Sequence, residues 1–176
     1  GGDCSSAKQL VLSCTVMGRA NGKVPGRNGA KVGGQIYVSR ALGGAVDSGR
    51  HLSPTPELAL GKLLVEKCSL QAMIDLSDGL DNDLRRILRA SNVGARVDVD
   101  LLPLNTGCDW QQAVSEGEDY GLLIVLDEAV ALTIDDVLKE DSHRLYRVGE
   151  ITASPTLDYQ QNSNSVTLDK KPFSYS

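Results

Sequence analysis

The stretch Ala72-Met73-Ile74-Asp75-Leu76-Ser77-Asp78-Gly79-Leu80 runs apolar and then breaks into two acids, a hydroxyl and a glycine. The run through Ile74 is short and hydrophobic, as a buried strand is, and from Leu80 the apolar residues return at Leu84, Ile87 and Leu88 with helical spacing. Ser77 and Asp78 are thereby predicted at a strand-to-helix turn. Such a turn offers unpaired backbone N–H groups and the positive end of a helix dipole to anionic oxygens, and carboxylates beside it suit magnesium. The same residues also read as a simple helix cap, with Ser77 or Asp78 accepting from an early N–H. This stretch alone leaves both readings open.

Working outward, Leu10, Leu12, Cys14 and Val16 alternate with Val11, Ser13, Thr15 and Met17, which predicts a strand over residues 9–17. Glycines then dominate from Gly18 to Gly34, with Pro25 among them, a linker-like composition. Gln35 to Ser39 is predicted as a second strand. Thr55-Pro56-Glu57 announces a helix with a threonine N-cap and a proline in its first turn, its buried stripe being Leu60, Leu63 and Leu64. The helix that opens at Gly79 is expected to stop near Asn92-Val93-Gly94. Further on, Ala95 to Val99 reads as a strand with one wet face, Trp110 to Val114 as a short helix, and Leu122 to Leu126 as an apolar strand. Residues 128–139 read as helical, Leu145 to Ile151 as extended, and the tail from Ser154 as a hairpin closing on Phe173 and Tyr175. Interleaved strands and helices of this kind predict an α/β or α+β domain with a mixed sheet covered by helices.

The bulk properties narrow the function. A chain of 176 residues with 41% hydrophobic content can build one domain with a real core, not two full ones. Its formal charge of −5 argues against a general affinity for nucleic acid or anionic membranes. No stretch approaches the roughly 20 apolar residues that span a bilayer, and no charged-then-apolar leader opens the sequence, so a cytoplasmic protein is expected. The four cysteines, at 4, 14, 68 and 108, form no C-x-x-C pair and lack a histidine at zinc-finger spacing; free thiols are expected instead of a structural zinc. The chain opens at Gly1-Gly2-Asp3-Cys4 without methionine, which predicts a piece of something longer.

Three acid-bearing turns stand out: Gly1-Gly2-Asp3, Asp75-Leu76-Ser77-Asp78-Gly79 and Glu116-Gly117-Glu118-Asp119-Tyr120. Phosphoryl transfer uses such material, because its catalysis is mostly positioning and neutralisation of phosphate charge by magnesium held on carboxylates. No G-x-x-x-x-G-K-[ST] loop is present, which excludes a P-loop kinase, and the protein-kinase motif set is absent too.

In order, these segments resemble the thiamine-monophosphate kinases, within the superfamily of aminoimidazole ribonucleotide synthetase, selenophosphate synthetase and a hydrogenase maturation protein. The family's G-G-D-T turn and following V-x-G are matched by Gly1-Gly2-Asp3-Cys4 and Val16-Met17-Gly18. Its R-x-G-A-x-x-G-D-x-I-Y-V segment resembles Arg27 to Val38, its D-[IV]-S-D-G-L motif is Asp75 to Leu80, and G-G-E-D-[YF]-E-L-L resembles Glu116 to Leu123.

The resemblance implies transfer of a phosphoryl group from ATP to thiamine phosphate, giving thiamine diphosphate, with Mg2+ as the metal. It assigns Asp3, Asp75 and Asp78 to metal, Asp78 nearest the transferred group, and Gly2, Arg27 and Ser77 to ATP. Glu118 and, by a weaker alignment, Phe173 are assigned to the thiamine phosphate. Read without the family, Arg27 is an ordinary linker arginine, Phe173 an ordinary core aromatic, and Asp119 an acid that satisfies backbone donors in its own turn. Residues 1–20 would be the last strand of an absent N-terminal domain and the start of a linker, and 21–176 the C-terminal domain. A homodimer through the absent domain is implied, while the unpaired edge of residues 9–17 invites pairing with another chain. Alternative readings are another acceptor, as in the selenophosphate or hydrogenase-maturation branches, or a non-catalytic binding module. The family pattern is broken at Cys4, Gly34, Glu116 and Gly121, where threonine, aspartate, glycine and glutamate are usual. The C-terminal aromatic motif is also reduced, to Pro172-Phe173-Ser174-Tyr175-Ser176.

Overall fold

The computed structural model describes residues 8–19, 24–139 and 143–170. Its strands are β1 (Gln35–Val38), β2 (Leu70–Leu76), β3 (Gly94–Asp98), β4 (Gly121–Leu126), β5 (Tyr146–Thr152), β6 (Leu157–Gln161) and β7 (Asn164–Val166). They form one seven-stranded sheet in the order β2-β4-β1-β5-β3-β6-β7. The sheet is mixed because β6 runs parallel to β3, while every other neighbouring pair is antiparallel. That parallel pair brings the hairpin of β6 and β7 to the far edge from β2.

The position of β4 follows from its sequence. Leu122 to Leu126 is a continuous apolar run, and such a run is stable only in a strand covered on both faces. On one face Leu123 and Val125, with Ile36 and Val38 of β1, pack against Leu80, Leu84, Ile87 and Leu88 of α2 (Leu80–Ser91) and Ala113 and Val114 of α3 (Trp110–Ser115). On the other face Ile124, Leu126 and Tyr37 meet Leu60, Leu63 and Leu64 of α1 (Leu58–Lys67) and Ile134 and Leu138 further along the chain. Each fully buried leucine or isoleucine contributes about 1.5–3 kcal/mol, so the period-2 alternation of β1 and β4 fixes which helix covers which face.

Several expectations are corrected. The segment 128–139 is two short helices, α4 (Glu128–Ala131) and α5 (Ile134–Lys139), separated at Leu132 and Thr133. Thr55 does not cap α1: its N-cap is Glu57, with no side-chain cap bond. The Glu57 carboxylate is instead held by Arg40 Nε at 2.9 Å, and the Thr55 carbonyl accepts from Arg40 Nη2. The glycine-rich stretch is not all linker. From Gly26 it lies against β2, with Met73 N–H donating to the Gly26 carbonyl, and Gly29 packs so closely that a Cβ there would lie 2.1 Å from the Gln71 carbonyl oxygen. Among the described residues, 10–19 carry no strand, and Leu10, Val11, Leu12, Val16 and Met17 are all exposed. The alternation there identifies residues suited to a strand, yet none of the described strands pairs with them.

The C-terminal stop of α2 is as expected: Asn92 takes the left-handed conformation, and its N–H returns to the carbonyls of Arg89 and Leu88. Cys14, Cys68 and Cys108 are free thiols. No helix among the described residues is long and apolar enough to cross a membrane.

Candidate functional site

β2 and β4 end side by side, Leu76 opposite Gly121, and the turns attached to them meet there. Glu118 N–H donates to the Ser77 carbonyl at 2.8 Å and Tyr120 N–H to the Leu76 carbonyl at 2.7 Å. The Asp75–Gly79 turn and the Glu116–Tyr120 turn are thereby one unit. The join is costly to the backbone. Glu118 and Tyr120 both take positive φ, 71° and 52°, a region that non-glycine residues occupy only when surrounding contacts hold them there. Gly79 closes the other turn at φ 91° and ψ 154°, a conformation essentially restricted to glycine. A Cβ at Gly79 would lie 2.7 Å from the Glu116 carbonyl oxygen. Gly79→Ala is therefore expected to cost about 3 kcal/mol from strain and forced displacement together, read as a lower urea midpoint at unchanged slope.

The turn does not use its N–H groups as the sequence suggests. Ser77 N–H and Asp78 N–H both donate to Oδ2 of Asp83, at 3.1 and 3.0 Å. An internal carboxylate occupies the two amides expected to face an anion. The capping expectation also falls: the N-cap of α2 is Gly79, with no side-chain cap bond, and the acid that reaches the turn comes from within the helix. Asp83 is fully buried, and its other oxygen pairs with Arg86, which also pairs with the Asp78 carboxylate. Burial pushes the Asp83 carboxyl up to about 6, against the opposing pull of the Asp78 N–H and the Arg86 guanidinium.

Asp75 is exposed, its carboxylate accepts no hydrogen bond among the described residues, and it opens onto a groove of about 600 Å3 whose walls include Val24, Pro25, Leu58, Met73, Tyr120 and Leu122. Glu118 is half-buried and its carboxylate accepts from the Tyr120 hydroxyl. Asp119 is buried as scaffold: its carboxylate accepts from Gly43 N–H at 3.0 Å and from Arg50 Nη2 at 2.6 Å, while its carbonyl accepts from Arg40. Desolvation raises its carboxyl above the usual range despite these donors. Glu116 does similar work, accepting from Gly44 N–H at 2.8 Å and from Gln112. Gly43 and Gly44 both have positive φ, so this pair of glycines lets the loop turn its N–H groups onto the two acids.

Two departures from the family pattern have local causes. A Cβ at Gly34 would lie 2.5 Å from Gln71 Oε1 and 2.9 Å from both Lys31 O and Val125 Cγ1, leaving little room for a side chain. One at Gly121 would lie 2.9 Å from Arg40 Cγ, whose guanidinium is committed to Glu57.

The structure thus brings Asp75, Ser77, Asp78 and Glu118 together. It does not bring Arg27 to them among the described residues. The Arg27 carbonyl accepts from Ser91 Oγ at the opposite end of α2 from Ser77, and its side chain is exposed. Gly2, Asp3 and Phe173 lie outside the described residues. For a magnesium ion the fit is partial. No group of three acids, histidines or cysteines among the described residues is close enough to hold a metal. Asp75 and Asp78 could still supply the one or two carboxylates that Mg2+ commonly takes alongside phosphate oxygens and water, once Asp78 is released from Arg86.

Sequence reading missed Asp83, Arg86, the Gly43-Gly44 pair and Arg50. Asp83 had a signal: it stands on the apolar stripe Leu80, Leu84, Ile87 at helical spacing, where an acid needs a buried partner.

A domain of this topology, with these two turns at one end of its sheet, defines the class. Residues 29–160 match the family described as AIR synthase related protein, C-terminal domain, and the chain belongs to it. It is similar to the thiamine-monophosphate kinase of Salmonella typhimurium, 33% identical over 183 residues, covering 88% of this chain and 56% of that protein. The chain thus spans about half the length of the curated relatives it matches. Among solved structures it resembles the thiamine-monophosphate kinase of Stenotrophomonas maltophilia K279a, with a TM-score of 0.68 and 26% identity, covering 81% of this chain and 54% of that one. It shares its fold with AaThiL complexed with AMPPCP and TMP, at a TM-score of 0.66, 21% identity, and 85% and 53% coverage.

Proposed function

We propose that this chain is the C-terminal part of a thiamine-monophosphate kinase, which transfers the γ-phosphoryl group of ATP to thiamine phosphate and yields ADP and thiamine diphosphate. The observation that carries this reading is the joining of the Asp75–Gly79 turn to the Glu116–Tyr120 turn through the Ser77 and Leu76 carbonyls. Ser77, proposed for nucleotide, and Asp75 and Asp78, proposed for metal, thereby belong to the turn that is joined to that of Glu118, proposed for the acceptor. That the relatives are thiamine-monophosphate kinases, and that AaThiL is complexed with AMPPCP and TMP, supports the same assignment.

In this reading Asp75 and Asp78, with Asp3, hold Mg2+, which would neutralise charge on the transferring phosphoryl group. Gly2, Arg27 and Ser77 contact ATP, Ser77 through its hydroxyl, since its N–H is held by Asp83. Glu118 faces the thiamine moiety, where a carboxylate opposes the thiazolium charge and accepts from the aminopyrimidine, and Phe173 stacks on a substrate ring. The acceptor phosphate attacks in line with no covalent enzyme intermediate. Residues 1–20 belong with a preceding domain and 21–176 form the C-terminal one; a cytoplasmic homodimer formed through the preceding domain completes the reading.

The test is a chimera in which this chain replaces the matching C-terminal half of the Salmonella typhimurium enzyme. With ATP and Mg2+ it is expected to form thiamine diphosphate from thiamine phosphate, while the 176-residue chain by itself forms a negligible amount. A folded chimera that forms none overturns the assignment.

A further inference from the structure

Asp83 is the most deeply buried acid among the described residues, with no solvent exposure, and the roles proposed above do not use it. Its two oxygens divide their work. Oδ2 takes the N–H groups of Ser77 and Asp78, which fixes the backbone between the two acids of the turn. Oδ1 takes Arg86, whose second nitrogen reaches the Asp78 carboxylate. A buried carboxylate is tolerated only when its acceptor sites are filled, and here each partner among the described residues belongs either to the turn or to a guanidinium that holds the turn. Asp83 also sits one helical turn from Gly79, to whose carbonyl its N–H donates, so its own backbone is anchored to the segment it clamps.

We propose that Asp83 is a positioning residue: it fixes the Asp75–Gly79 turn from below and, through Arg86, sets where the Asp78 carboxylate lies. The proposal rests on the phosphoryl-transfer reading for what the turn is positioned to do, but not for the clamp itself. Arg86 then serves as a resident counter-cation for Asp78, to be exchanged for a divalent ion without disturbing the backbone, because the backbone is held by Asp83.

Amide hydrogen exchange on the 176-residue chain tests the clamp. Asp83→Ala should speed exchange at Ser77 and Asp78 at least tenfold, leaving Ile124 and Val125 in the sheet centre unchanged. Asp83→Asn, which keeps an acceptor oxygen, should restore most of that protection. Unchanged exchange at Ser77 and Asp78 in the alanine variant overturns the proposal, as does equal acceleration in the sheet by both variants. The second measurement is Mn2+-induced broadening of the Asp75 to Gly79 amide signals. Asp83→Ala should shift its midpoint to about tenfold higher Mn2+ and Asp83→Asn should bring it back, whereas Asp83→Leu, which fills the space without an acceptor, should not; rescue by leucine would mean a purely space-filling role and overturn the proposal. Asp75→Asn serves as the control: if it leaves the broadening unaltered, the metal reading fails while the exchange data still decide the clamp.

Discussion

Replacing Asp119 by alanine is expected to destabilise the fold by about 3 kcal/mol, because it leaves the buried Gly43 N–H without its acceptor and the half-buried Arg50 guanidinium without its carboxylate, with only the Gly43 carbonyl at 3.3 Å remaining to it. Asp119 is 2% exposed at its side chain and Arg50 34%, so solvent recovers part of the loss on the arginine side but none on the amide side. Asp119→Asn retains one acceptor and should cost about half as much, whereas Glu118→Gln, one residue away, should change stability by less than about 0.5 kcal/mol. Urea unfolding followed through Trp110 measures all three. Similar midpoints for the Asp119 and Glu118 variants would refute the division of this turn into scaffold and site. The sign of the pH dependence follows from burial. The folded state holds the Asp119 proton to higher pH than the unfolded chain, so its contribution to stability declines as pH rises above about 3.9 through the raised value. Asp119→Asn, which does not titrate, should flatten that slope.

The same contrast shows what the sequence disclosed. The strand and helix around Asp75–Leu80 are legible because a short apolar run through Ile74 gives way to apolar residues at helical spacing from Leu80, and β2 and α2 fall where those patterns put them. The mixed sheet was legible from interleaved elements, but its order was not, since the parallel pairing of β3 with β6 depends on contacts between segments far apart in sequence. Asp119 is expected from its pattern to satisfy donors in its own turn, whereas its carboxylate takes donors that arrive from another loop, Gly43 and Arg50. The same limit applies to the turn amides at Ser77 and Asp78. A sequence reveals that a strand-to-helix turn has donors to spare, not that a helix residue four positions past Gly79 will fold back and occupy them. Residues 9–17 form no strand among the described residues for a related reason: alternation specifies a strand face, but a strand exists only with a partner.

Asp78→Asn, placed in the chimera with the Salmonella typhimurium N-terminal half, is expected to lower kcat on the order of 10^3-fold, about 4 kcal/mol of barrier. The asparagine is nearly isosteric and leaves the backbone clamp by Asp83 in place, since that clamp uses the Asp78 N–H and not its side chain. What is removed is the negative charge that Arg86 balances in this structure and that Mg2+ would balance during transfer. Glu118→Gln in the same protein should act differently. It stands across the joined turns, on the side proposed for the acceptor, so it should raise KM for thiamine phosphate about tenfold while leaving KM for ATP nearly unchanged, the signature of an interaction made with one substrate. Arg86 separates a direct from an indirect effect at Asp78. If the asparagine acted only by breaking the ion pair with Arg86, Arg86→Met, which breaks the same pair, would reproduce the full loss of kcat. A direct role for the Asp78 carboxylate requires the methionine variant to retain much more activity than Asp78→Asn. Equal losses in the two variants, or a parallel rise of both KM values in Glu118→Gln, would move these side chains from the reaction to the scaffold.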